Sequence, residues 1–141
     1  MSKNYEKKYI FDDVLYASVI NVLDVPSGLE FYTDDEQFIQ VGSWNYPKDK
    51  KLDLHYHLEF PRTGYKTNES VLVIKGKMIC NLYTDSGEFL TEIRISENQL
   101  ITQFNGAHEY IMIEDLIAIE IKNGPYFGPE KDRKRIEPKK D

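Results

Sequence analysis

Residues Leu52 to Gly76 read LDLHYHLEFPRTGYKTNESVLVIKG, and the organisation of the chain follows from this stretch. At its centre lies His55-Tyr56-His57. Two histidines at i and i+2 cannot share a helix face, but on a strand they point to the same side. Glu69 then opens a β-branched run, Ser70 to Lys75, that stops at Gly76. The third and last histidine, His108, sits in Phe-Asn-Gly-Ala-His-Glu-Tyr, residues 104–110. All three histidines stand where strands can bring them together with Glu69. Imidazole nitrogen and carboxylate oxygen suit one divalent metal ion (iron, manganese, nickel or zinc), and no thiolate at the site favours a softer one.

Composition bounds the rest. A chain of 141 residues forms one domain and buries a core without staples. Its 18 basic and 24 acidic residues leave a net charge of -6, which disfavours nonspecific binding to nucleic acid, a process that rests on neutralising phosphates. The single cysteine, Cys80, lies in the apolar run Met78-Ile79-Cys80 and reads as a buried, inert thiol in a reducing compartment. Lys3, Lys7 and Lys8 precede an apolar segment, Val14 to Val25. Asp12, Asp13, Asn21 and Asp24 interrupt the resemblance to a secretory signal, and the segment is too short to span a bilayer. The expected location is cytoplasmic, without membrane attachment.

Residues 1–9 are polar and read as loose. Ile10 to Val22 carries apolar residues at both helical and alternating spacing, so an N-terminal strand adding to a sheet, that of a partner subunit included, and a short helix both fit. Pro26-Ser27-Gly28 is a turn signal. Strands are then expected over 29–32, 38–46, 51–60, 70–75, 77–83, 89–95, 99–104, 107–113 and 116–122. Gly76 reads as a tight bend joining a pair, and Thr84-Asp85-Ser86-Gly87 as a hairpin turn. About nine short strands with turn signals between them predict an all-β sandwich or small barrel, and the double-sheet jelly roll fits best. The charged tail from Gly128 reads as a solvated surface segment. This divides the chain into an N-terminal segment (1–28) with a possible part in a dimer, a barrel (29–127) and a tail (128–141).

Glu69 followed by six residues and then Gly76, with a histidine two residues past Gly106, resembles the two sequence motifs of the cupin superfamily. That family's first motif supplies two histidines and a glutamate, and its second supplies the last histidine. By position, the resemblance implies a double-stranded β-helix with His55, His57, Glu69 and His108 as metal ligands. Two features depart from the family pattern. Eleven residues (Leu58 to Asn68) separate His57 from Glu69 where the family has a few, and only Gly106 is recognisable ahead of His108. The gap leaves Glu59 as a rival ligand. Glu69 is preferred because it begins the β-branched run and has the glycine at the expected distance. Ile121 to Gly128, followed by Glu130-Lys131-Asp132-Arg133, resembles the C-terminal signature of small single-domain metal-binding cupins of unsettled activity. Members of that group accompany surface-polysaccharide and nucleotide-sugar genes, so the resemblance implies a sugar-like small molecule.

Strand parity selects Lys51, Asp53, Val71, Val73, Tyr110 and Met112 as residues lining the interior with the ligands. Arg62 and Lys66, on the loop between ligands, are candidates to clamp an anionic group, with Tyr65, Lys122 and Tyr126 nearby. Tyr110 and Glu120 are further catalytic candidates. Glu120 interrupts Ile117, Ile119 and Ile121 on the opposite parity, and the outward orientation is slightly favoured for it. Inward, it would be a general base near the metal. Tyr126 and Phe127, after the Asn-Gly-Pro turn, are placed to pack over the mouth. The expected activity is that of a metal-dependent enzyme on a small polar or sugar-like molecule. A binding or sensing module without catalysis is the alternative. Edge strands pairing between subunits imply a homodimer.

Overall fold

In a computed structural model, residues 4–140 are described. Residues 1–3, with Lys3 of the N-terminal lysine group, and Asp141 at the end of the tail lie outside them. The described chain is all-β and antiparallel. Strands β1 (Glu6–Phe11) and β2 (Val14–Asn21) form a hairpin whose two turn residues, Asp12 and Asp13, have φ of 49° and 62°. Aspartate tolerates this left-handed backbone, and the turn matches the twist of the strands it joins. Residues expected to be loose therefore begin a strand, and the helical alternative for Ile10–Val22 does not form.

A short 3₁₀ turn (Val22–Asp24) leads to β3 (Gly28–Phe31) and β4 (Gly42–Asn45), which pair as a two-stranded ribbon. The strand expected over 38–46 is shorter than its apolar content suggested. Residues 33–41 instead fold around Gln40, whose amide donates to the carbonyls of Asp34 and Gln37 at 3.0 Å each, while Ile39 and Val41 are buried. No strand forms over 51–60. The chain resumes at β5 (Glu69–Lys75), β6 (Met78–Tyr83), β7 (Phe89–Ile95), β8 (Gln99–Gln103), β9 (Ala107–Met112) and β10 (Ile117–Lys122), and a single helical turn, α1 (Pro129–Asp132), precedes the tail.

Two sheets face each other. One has the order β1-β2-β8-β5-β10 and the other β7-β6-β9. Gly76 therefore does not close a hairpin. It carries the chain from β5 in one sheet to β6 in the other. Its φ is +91°, and a Cβ there would stand 2.2 Å from the Asp115 carbonyl oxygen, so only glycine fits the crossing. Between the sheets lie Ala17 and Val19 of β2, Val73 of β5, Met78, Cys80 and Leu82 of β6, Ile93 and Ile95 of β7, and Ile101 of β8. Each large apolar side chain buried here contributes about 1.5–3 kcal/mol relative to exposure.

A second, smaller core covers the other face of β2 and β8. Ile20 and Phe104 pack there against Tyr32, Ile39 and Val41. Strand β2 is thus buried on both faces, which removes the alternation that would have marked it as a strand. On that same face of the five-stranded sheet, the register partners Ser70 and Thr102 share a buried hydroxyl hydrogen bond of 2.7 Å. The tail is exposed as expected but is held at the β6–β7 turn, where the Lys139 N–H donates to the Gly87 carbonyl at 2.9 Å. Among the described residues, no helix is long and apolar enough to cross a membrane.

Candidate functional site

Register places the chemistry. Val73 and Ile101 face the inter-sheet core, so Val71 and Glu69 on β5 and Gln103 on β8 face the same way. On β10, Glu120 is the partner of Val71 and Lys122 the partner of Glu69, which turns both inward. On β9, Tyr110 and His108 stand opposite Cys80 and Leu82, both fully buried. Val71 and Tyr110 pack against the core as parity required. The register sets Glu120 on the Val71 and Glu69 side, not on the outward side favoured from sequence. Its expected exposure holds, since Glu120 and Lys122 both remain exposed on this edge strand. Ile117, Ile119 and Ile121 form the outer face of β10 and are exposed.

A polar contact joins the two sheets at the edge of the core. His108 Nε2 lies 2.7 Å from Glu69 Oε1, with side-chain exposures of 31% and 14%. The hydrogen bond from His108 holds the Glu69 carboxyl down at about 2, against the upward push of its burial. Glu120 is shifted upward, first by its hydrogen bond to Glu69, then by burial and by the like charge. Ionised Glu69 therefore accepts the hydrogen bond from His108. Behind this group, Gln103 donates to Tyr110 Oη at 3.1 Å and to Cys80 Sγ at 3.2 Å. Burial pushes the Cys80 thiol up to about 12 and the Tyr110 phenol well above its usual range. The Gln103 Oε1 atom is buried with no hydrogen-bond partner among the described residues.

The remaining candidates are elsewhere. His55 and His57 lie on a segment with neither strand nor helix, their rings 5.3 Å apart, and His55 Nδ1 is 2.8 Å from the Asp53 carbonyl oxygen. Their expected strand is absent because no neighbouring strand pairs with it. Lys51, Asp53 and Glu59 share the segment and are exposed, so they do not line the interior. The Arg62 guanidinium stacks 3.7 Å from the Phe60 ring centre, and Tyr65 is exposed. Lys66 donates to the Asn105 side chain, three residues before His108. The Lys122 ammonium lies 5.1 Å from the Tyr126 ring centre, whereas Phe127 is 72% exposed and closes nothing. Gln103 is the residue that sequence reasoning missed, although its spacing from the apolar Ile101 carried the signal.

A metal ion between Glu69 and His108 would take the place of their hydrogen bond. With bonds of about 2.0–2.2 Å, ligand atoms sit about 3 Å apart on an octahedral ion and about 3.4 Å apart on a tetrahedral one, so the pair would open slightly from 2.7 Å to admit an ion. Within one chain the pair fits half of a four-ligand centre. Among the described residues, no three histidine, cysteine, aspartate or glutamate side chains are grouped to hold a metal. A surface hollow at Asn21, Asp24, Ser96 and Gln99 and another at Phe38, Lys66, Asn68, Phe104 and Asn105 are open, and neither is lined by Glu69, His108 or Glu120. The chain matches no family model, no characterised protein and no solved structure.

Proposed function

We propose that this chain is a cupin-type jelly roll whose inter-sheet mouth binds one divalent metal through Glu69 and His108, with His55 and His57 completing the ligand set. We propose further that it acts there on a small polar or sugar-like molecule. The contact between Glu69 and His108 carries the reading. Side chains 39 residues apart in the chain, on strands of different sheets, bring a carboxylate oxygen and an imidazole nitrogen within 2.7 Å at the edge of the core. Gly76 and Gly106, both at positive φ and both close against backbone carbonyls, sit where the family's motifs have glycine, which supports the jelly roll.

When bound, such an ion supplies Lewis acidity toward an oxygen of the bound molecule. The chain's own groups do the rest. Glu120 presents the carboxyl placed to give or take a proton beside Glu69. Lys122, in register with Glu69, offers a cation to an anionic group of the molecule. Tyr110 and Val71 form the apolar wall behind them and exclude water.

Elemental analysis of purified protein tests the reading. The wild type is expected to hold about one metal per chain, as a site with a full set of four protein ligands does. His108→Ala and Glu69→Ala should each lose it while circular dichroism stays unchanged. Equal metal in wild type and both variants would end the case for this site.

A further inference from the structure

Residues 47–67 are exposed throughout. Within them the apolar side chains alternate without a break. Leu52, Leu54, Tyr56, Leu58 and Phe60 occupy the even positions, with exposures of 41, 101, 82, 68 and 58%, and Lys51, Asp53, His55, His57 and Glu59 the odd ones. This is the pattern of a half-buried strand with no strand beside it. Both ends of the segment are anchored. Asn45 donates to the Val25 carbonyl at 3.0 Å, and Asn123 brackets Lys66 and Asn68 with two hydrogen bonds.

The sandwich has two vacant strand edges on the same side. β10 ends the five-stranded sheet and β9 ends the three-stranded one. The Glu69–His108 contact sets β9 over β5, the neighbour of β10. A vacant edge is a template for another strand. The outer face of β10 exposes Ile117, Ile119 and Ile121, with Ile74 beside them on β5, and the outer face of β9 exposes Ile111. Clustered apolar exposure of this kind marks an interaction surface.

We propose that residues 51–60 of each copy pair as a strand on this open side of a second copy, reciprocally, and carry His55 and His57 to the other copy's Glu69 and His108. Parity selects that orientation on either edge. Cross-strand neighbours share a face, so seating the arm's five apolar residues with the exposed isoleucines turns its histidines inward, beside His108 on β9 or Glu120 on β10. The occupant is a second copy because, within one chain, the arm stays in solvent although the vacant edges are present in the same molecule. A ten-residue arm together with the edge that receives the partner's arm approaches the roughly 20 residues a side of a standard interface. A two-fold exchange uses the same patches on both copies. The delivery of the histidines rests on the metal reading above. The exchange of arms does not.

The test separates the two. Light scattering at micromolar concentration should give twice the chain mass, and Leu54→Asp with Tyr56→Asp should give a folded monomer. In a Cys80→Ala background, a copy with Tyr56→Cys is mixed by refolding with a copy carrying Ile119→Cys (β10 edge) or one carrying Ile111→Cys (β9 edge). One of the two mixtures should join through a short bis-maleimide. A monomeric wild type, or a dimer that neither mixture crosslinks, overturns the exchange. Metal content then tests the delivery. His55→Ala/His57→Ala and Glu69→Ala/His108→Ala variants each lack metal alone, and refolded together in equal amounts they should regain it at about one site in four, since half the dimers are mixed and one of their two sites is whole. No regain, with a metal-replete wild type, overturns delivery between copies. A crosslinked dimer whose wild type holds no metal upholds the exchange and sinks the metal reading.

Discussion

Replacing Gly76 by alanine tests the sheet-to-sheet crossing, and Gly28 provides the control. Both glycines have φ near +90°, but a Cβ at Gly28 meets nothing within 4 Å, whereas at Gly76 it stands 2.2 Å from the Asp115 carbonyl oxygen and 3.1 Å from Leu116 Cα. The left-handed backbone alone costs an L-residue about 1–2 kcal/mol. A smaller unfolded-state entropy returns about 0.4–1 kcal/mol of that. Gly28→Ala should therefore lose about 1 kcal/mol, or roughly 4 °C in Tm at this chain length. At Gly76 the backbone of residues 115–116 must also move by the better part of an ångström. That movement strains the Gly76 N–H bond to Glu97, 3.2 Å long, and the register of β10 where it begins. A total of about 4 kcal/mol, near the exceptional end for one substitution, follows. Urea titration followed by circular dichroism reads both variants, with unchanged slopes confirming that the midpoint shift is a stability change. Equal losses at the two sites would refute the reasoning, because only the steric contact distinguishes them.

The buried Ser70–Thr102 hydroxyl pair should behave as a unit. Ser70→Ala is expected to cost about 1–3 kcal/mol by stranding Thr102, and Thr102→Val in the same chain should return part of that loss, read by a double-mutant cycle. Leu82→Ala, in the fully buried row opposite His108, should cost about 2–5 kcal/mol in the same titration. Cys80, held as a thiol until about pH 12, should resist iodoacetamide at pH 8.5 in the native protein and react at once in urea. Its contribution to stability is fully present below the unfolded thiol value of 9.0 and fades as pH rises toward 12, a slope that Cys80→Ala should remove.

The strands from Glu69 to Lys122 are legible as short apolar runs between turn signals, and β6 and β7 each bury one face. β6, with Met78, Cys80 and Leu82 inward, shows the alternation most plainly. β7 is less regular for a local reason. Its pairing steps from Thr91 to Phe89 across Leu82 and Tyr83, leaving Leu90 as a bulge that breaks the period. At the N-terminus the alternation vanishes because Ser18 and Ile20 are covered as well as Ala17 and Val19. The motif resemblance implies the Glu69–His108 contact, with Gly76 closing the Glu69 run and Gly106 just ahead of His108. The side taken by Glu120 could not be read, because its apolar neighbours suggested a core-facing row where the molecule has an exposed one. For His55 and His57, alternation indicates a strand but says nothing of whether a neighbouring strand belongs to the same chain.

The pairing of β2 with β8 sets Ala17 beside Gln103 and Asn21 beside Gln99, so the first long strand finds its inner neighbour only some eighty positions later. During synthesis the segment Leu15 to Ile20 leaves the ribosome with β1 as its sole companion, and a two-stranded hairpin is marginal in water. For several seconds at ordinary elongation rates this apolar strand waits for the remainder of its sheet. The sheet order thus leaves a sticky nascent strand without its inner neighbour until most of the chain has been made.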